Sequence, residues 1–130
     1  MTAWTSEELA RIGTAEELRI TPLRSDGSPR TTVPIWVVRD GDNLYIRSFR
    51  GSQGAWYRAA RATQHARIAA AGVENDVTLT AVEDADTNDR VDAAYRTKYG
   101  RYAGTYLDPV ITTQARGTTL RLAAMPEAVR

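Results

Sequence analysis

Apolar residues recur with a period of two along several short stretches of this chain and with a period near 3.6 along three others. That contrast predicts the elements. The densest stretch is residues 30–60. Within it residues 32–38 are apolar on both faces, Val33, Ile35 and Val37 alternating with Pro34, Trp36 and Val38. A strand buried on both faces belongs in a barrel wall covered on its outer side. Asp40, Gly41, Asp42 and Asn43 then predict a hairpin turn. The strand after it puts Leu44, Ile46 and Ser48 on one face and Tyr45, Arg47 and Phe49 on the other. Upstream, residues 18–24 alternate in the same way, and Ser25, Asp26, Gly27 and Ser28 supply a tight turn before Arg30 begins the returning strand. Three strands in a meander are expected.

Further strands are expected at residues 66–71 and 77–82, both rich in small residues, with 72–76 as their connection, and at 118–124. The helical stretches carry their own signals. Around residues 4–13, Thr5 and Glu8 form a capping box, Trp4 and Leu9 occupy the positions of a hydrophobic staple, and Gly13 supplies a stop. Ser52 can cap a second helix running to about Gln64. The third, residues 85–99, carries a stripe of Val91, Ala94, Tyr95, Lys98 and Tyr99, and Asp92 is spaced to pair with Arg96. The total is about six strands and about three helices. Short turns and the lack of a βαβ rhythm make the sheet antiparallel. The expectation is a single α+β domain over residues 1–130, mainly β: an antiparallel barrel with helices attached.

Composition narrows the function classes. The 130 residues are 42% hydrophobic, enough for one core of their own. No run approaches the length of a membrane span, and the N-terminus lacks the basic head and apolar stretch of a secretory signal. A cytoplasmic protein is the expectation. With no cysteine there is no disulfide, thiolate metal site or thiol nucleophile. A net charge of +1, with acids and bases interspersed, disfavours a nucleic-acid partner. Lys98 is the one lysine; every other basic residue apart from His65 is arginine, a bias that reads as genome composition.

Candidate chemistry concentrates in residues 47–54. Arg47, Ser48, Arg50, Gly51 and Ser52 combine guanidinium forks, small residues and a helix start, a set suited to binding an anion such as a phosphate. Trp36, Trp56 and Tyr57 could stack on a flat ring, although large aromatics are more often core. Tyr102 and Tyr106, in the segment after the third helix, could offer a phenol to a substrate. Other patterns carry less. Asp84, Asp86 and Asn88 open like a calcium loop, but Asp89 stands where glycine is needed and Tyr95 where glutamate is needed, so no metal site is expected. His65 is the single histidine, and no serine sits in a Gly-x-Ser-x-Gly pattern, which argues against a hydrolase.

The order helix, meander, Gly/Ser loop, helix, two strands, helix, strand resembles the split β-barrel of the pyridoxamine 5'-phosphate oxidase-like superfamily. Thr31-Thr32-Val33-Pro34-Ile35-Trp36 followed by Asp40-Gly41-Asp42-Asn43-Leu44-Tyr45-Ile46 is similar to its second and third strands. Residues 55–63, with the strand at Ala66, resemble its deazaflavin-dependent nitroreductase branch. Residues 98–106 and 115–122 resemble a branch of uncharacterised function. The resemblance implies a homodimer holding FMN or the deazaflavin coenzyme, and an oxidoreductase whose cofactor carries the hydride. By position it makes Arg47, Ser48, Arg50 and Ser52 the phosphate contacts, with Gly51 in the same loop and Trp36 or Trp56 near the ring. No catalytic residue is implied. Oxidase members commonly place a lysine soon after the loop serine, and here that position is Gly54. The alternative is a non-catalytic small-ligand-binding dimer that has lost the cofactor.

Overall fold

The computed structural model of the chain describes residues 4–102 and 107–124. Helix α1 (Ser6–Thr14) leads into β1 (Leu18–Pro22), β2 (Val33–Ile35), β3 (Val38–Asp40) and β4 (Asn43–Ile46). Then follow α2 (Ala55–Thr63), β5 (His65–Ala70), β6 (Val73–Ala81), α3 (Ala85–Tyr99), α4 (Thr113–Arg116) and β7 (Leu120–Ala124). All seven strands form one antiparallel sheet in the order β2-β1-β5-β6-β7-β4-β3. Seven strands and four helices among the described residues replace the six and three expected. None of these helices is long and apolar enough to cross a membrane.

The stretch read as one central strand is two. β2 pairs with β1 at one edge of the sheet, β3 pairs with β4 at the other, and only Trp36 and Val37 separate them. The sheet therefore curls until a single crossing joins its edges: both hairpins of the expected meander form, but its middle strand is broken at Trp36 and Val37. Alternating faces reveal burial on both sides but cannot reveal which neighbour supplies the hydrogen bonds. At the crossing, α3 supplies them instead of a strand. The Val37 N–H donates to the Tyr99 hydroxyl (3.3 Å), and the Val37 carbonyl accepts from Lys98 Nζ (2.7 Å) and the Tyr99 hydroxyl (3.2 Å). A buried backbone group off the ladder needs such a partner.

Two apolar layers result. Inside the curl, Leu18, Ile20, Ile46, Ile68, Leu120 and Leu122 meet Leu9 and Ile12 of α1 and Tyr57 and Ala60 of α2. Outside β3 and β4, Val38 and Tyr45 pack under Val91, Tyr95 and Tyr99 of α3. Burial on both faces of β4 follows from its pattern, with Leu44 and Ile46 inward and Tyr45 outward.

Local signals place some ends and misplace others. Thr5 and Glu8 form the capping box, and α3 has the expected bounds, with Asp84 capping the Thr87 N–H. The N-cap of α2 is Gly54, not Ser52. Asp92 turns inward and its ion pairs are with Arg47 and Arg116, not Arg96. β6 begins four residues before the expected strand, since the β5–β6 hairpin turns on Ala71 and Gly72 alone, at φ +50° and +83°. Two consecutive positive φ values are the mark of a type I′ turn, which favours Asn-Gly. Ala71 holds a left-handed conformation that costs an L-residue about 1 kcal/mol. Ala71→Asn is expected to raise unfolding stability by up to ~1 kcal/mol in urea titrations, with the m-value unchanged.

Candidate functional site

The candidate site is built where β4 leaves the sheet. Arg47, one residue past β4, is 2% exposed, and its guanidinium is held on every side. Nε donates to Thr119 Oγ1 (2.9 Å), Nη1 to Asp92 Oδ1 (2.5 Å) and the Val110 carbonyl (2.8 Å), and Nη2 to the Asn88 carbonyl and Oδ1 (3.1 Å each). An arginine has five N–H donors, and these five bonds use them all. Asp92 is shared with Arg116, and Thr119 Oγ1 donates to Asn88 Oδ1 (2.6 Å). Arg47 therefore ties β4 to α3 and to the approach to β7. It borders the cavity described next, but with no N–H left to offer an anion.

That cavity, about 450 Å³, opens between the β2–β3 crossing, the end of β4 and the start of α2. Val33, Ile35, Trp36, Phe49 and Trp56 make it largely apolar, and Ser48, Arg50 and Glu17 bring polar groups to it. Ser48 is wholly buried. Its backbone N–H donates to Thr118 Oγ1 (2.9 Å), but its own hydroxyl has no partner. Leaving a buried hydroxyl unpaired costs about 1–3 kcal/mol. Above it lies Gly54, where a Cβ would stand 2.5 Å from Ser48 Oγ. A side chain at Gly54 would displace the serine hydroxyl. Gly54 is also the N-cap of α2 and provides no side-chain cap, so the helix presents its first-turn N–H groups and positive dipole end without a built-in acceptor. Arg50, exposed, has no hydrogen-bond or ion-pair partner among the described residues.

The sequence-derived candidates thus divide. Trp36, Trp56, Arg47, Ser48 and Arg50 come together around one cavity. Gly51 (φ +65°) and Ser52 belong to a 3-10 turn, Gly51–Gln53, beside the cavity rather than in its wall; a Cβ on Gly51 would meet Gln114 Cβ at 3.3 Å. Tyr57 is core. Tyr102 lies off the cavity, its hydroxyl donating to Glu16 Oε2 (2.8 Å); that bond, with the Arg101 guanidinium, holds the Glu16 carboxyl below its ordinary range. Tyr106 lies outside the described residues. Trp36 stacks face to face on Tyr99, centroids 3.9 Å apart and 3° from parallel, so that one of its faces is covered by protein. Burial raises the phenols of Tyr95 and Tyr99, which keeps both protonated. Glu17, Phe49 and Val110 were missed as cavity residues, and nothing in their local sequence marks them.

A curled antiparallel sheet closed by one crossing, with a pocket at the end of β4, is the architecture of the pyridoxamine 5'-phosphate oxidase-like split barrels, and this chain has that fold. Within that class it belongs to the family described as "Uncharacterized protein conserved in bacteria (DUF2255)", whose family model matches residues 8–122. Among solved structures it is similar to a provisionally assigned pyridoxamine 5'-phosphate oxidase from Listeria innocua (15% identity, TM-score 0.61, 93% of this chain and 91% of that one). It is also similar to an F420 reductase (16%, TM-score 0.54, 91% of each chain). A third match is the heme storage protein HutZ from Vibrio cholerae (14%, TM-score 0.60, 94% and 89%). At these identities the likeness is one of fold. No curated protein sequence matches the chain at a significant level.

Removing one partner of a buried ion pair leaves the other charge uncompensated, at a cost of about 3–5 kcal/mol. Asp92→Ala is expected to lower unfolding stability by roughly that amount in urea, whereas Arg96→Ala, on the exposed face of the same helix, stays within about 0.5 kcal/mol.

Proposed function

We propose that this protein is a flavin- or deazaflavin-dependent oxidoreductase acting on a small molecule, with the cofactor in the cavity beside β4. One observation carries the reading: a buried serine hydroxyl without a partner, facing a cavity, under a glycine at an uncapped helix N-terminus. A buried polar group without a partner calls for an explanation, and a bound ligand or ion that completes it is one. The residues fit a phosphate-bearing cofactor. Ser48 Oγ, Arg50 and the first-turn amides of α2 would hold the anionic group, and Trp36 and Trp56 would form apolar walls toward its ring. Such a cofactor supplies the hydride or electron transfer itself. The chain's own residues then bind, orient and exclude water, and Arg47 acts by positioning Ser48 rather than by touching the anion. That a matched fold is an F420 reductase supports the reading at the level of class.

A non-catalytic ligand-binding barrel is the second reading. It draws on Arg47, whose five donors are all taken, leaving Arg50 as the one arginine at the cavity free to meet a phosphate. Titration with FMN and with the deazaflavin coenzyme, followed by tryptophan and cofactor fluorescence, separates the two. On the proposal one of them binds, and Ser48→Ala shows opposite effects: at least tenfold weaker cofactor binding, with apo stability raised by about 1 kcal/mol once the orphan hydroxyl is gone. No binding of either cofactor, with Ser48→Ala neutral, would favour the second reading.

We also propose a homodimer. Phe49, on the cavity wall, is 53% exposed, the one large apolar side chain so exposed among the described residues. A second copy covering it would close the cavity to water. Light scattering is expected to give twice the 14.3 kDa chain mass, falling toward the monomer in Phe49→Asp; a wild-type monomer at micromolar concentration would refute the dimer.

A further inference from the structure

The rings at the end of α3 form a path leading away from the cavity wall, which Trp36 lines. The Trp36 indole lies 3.9 Å from the Tyr99 ring, 3° from parallel, and 5.5 Å from the Tyr102 ring, centroid to centroid. Tyr99 and Tyr102 are 6.5 Å apart. The two phenols differ in what their hydroxyls meet. Tyr99, buried, donates to the backbone carbonyls of Glu16 (2.9 Å) and Val37 (3.2 Å), which do not take up a proton. Tyr102, half-buried, donates to the Glu16 carboxylate at Oε2 (2.8 Å). That carboxylate is exposed and ion-paired with Arg101. Each phenol ring also carries a cation. Lys98 Nζ lies 5.1 Å from the Tyr99 centroid, and the Arg101 guanidinium lies 4.7 Å from the Tyr102 centroid. Three rings thus stand close enough to exchange an electron, and of the two phenols Tyr102 is the one aimed at a proton acceptor among the described residues.

We propose that Tyr102 is a one-electron redox site: an electron hole formed on Trp36 passes to Tyr102, which gives its phenolic proton to Glu16 and holds the hole as a neutral tyrosyl radical. A free radical reaching the cavity is the oxidant. It takes one electron from the Trp36 indole and is itself reduced. Trp36 then takes one electron from Tyr102, whose O–H bond breaks as the proton moves to Glu16 Oε2. The chain has lost one electron and no proton. A thiolate or ascorbate at the surface returns the electron, and Glu16 returns the proton. A tyrosine radical cation is a far stronger acid than any carboxylic acid. Glu16 therefore accepts the proton even though the Tyr102 hydroxyl and Arg101 hold its carboxyl below the ordinary range. The hole does not settle on Tyr99, because losing an electron there without the proton leaves a charge on a buried ring beside the Lys98 ammonium. Arg101 disfavours a charged radical on Tyr102 as well, so the hole persists there only once the proton has left. The relay moves an oxidising equivalent from an apolar cavity to a ring that reductants can reach. It stands on the ring geometry, whatever ligand the cavity holds.

The test is pulse radiolysis of the full chain in azide, because the azidyl radical oxidises tryptophan in preference to tyrosine at neutral pH. Tryptophanyl and tyrosyl radicals absorb at different wavelengths, so transfer between them is followed directly. The wild type is expected to convert tryptophanyl into tyrosyl radical in a first-order phase that is independent of protein concentration and slower in heavy water. Trp36→Phe, which keeps a ring against Tyr99, and Tyr102→Phe should remove the same phase, and Trp56→Phe should leave it. Glu16→Gln keeps an acceptor for the Tyr102 hydroxyl but cannot take its proton, and should slow the phase at least about tenfold. Absence of the phase from the wild type would overturn the proposal. So would a phase that survives Trp36→Phe or Tyr102→Phe, or one that keeps its rate in Glu16→Gln.

Discussion

The buried contact between Arg47 and Asp92 is the constraint on which the site depends. Burying a guanidinium costs several kcal/mol unless every donor is met, and here the acceptors come from α3, from the residue before β7 and from the segment ahead of α4. An ion pair of this kind is weak as a source of stability but strong as a determinant of geometry, because five acceptors from three parts of the chain must meet one guanidinium at once. It fixes the residue after β4. Ser48 follows directly, and its position beneath Gly54 sets where the cavity has its polar end.

Trp36 lines the cavity beside β4, and Val37, next to it, is held by Lys98 of α3. Trp36 also stacks on Tyr99, the residue whose hydroxyl serves both the N–H and the carbonyl of Val37. The last turn of α3 thus stands in for a strand neighbour at the point where the sheet closes. It also rigidifies the aromatic wall of the site, since a tryptophan stacked at 3.9 Å has little freedom to tilt.

How far the sequence revealed this depended on distance along the chain. The Thr5–Glu8 capping box and the bounds of α3 were legible because both ends of each interaction lie within one turn. The turns at Gly27 and Gly41 were legible for the same reason. Asp92 was misassigned to Arg96 because its real partner is 45 residues away. Residues 32–38 read as one strand because their faces are buried in the same alternation on either side of the break. Glu74, Asn75 and Asp76 disguised the first half of β6, and α4, at four residues, is too short to have a period. Of the site, the loop that carries it was legible from its small and cationic residues. That Arg47 is consumed by the fold was not, since an arginine looks the same in sequence whether its fork faces a ligand or a buried aspartate.

β7 lies near the middle of the sheet, between β6 and β4, yet is the last of the seven strands to be synthesised. Until it is made, the sheet exists as two separate pieces, β2-β1-β5-β6 and β4-β3, each with an open apolar edge. The N-terminus waits as well, because the Trp4 indole donates to the Leu122 carbonyl (3.0 Å). The chain therefore cannot fold in the order in which it is translated. Its nascent form carries two unpaired strand edges that are open to chaperones or to another nascent chain until β7 is inserted between them.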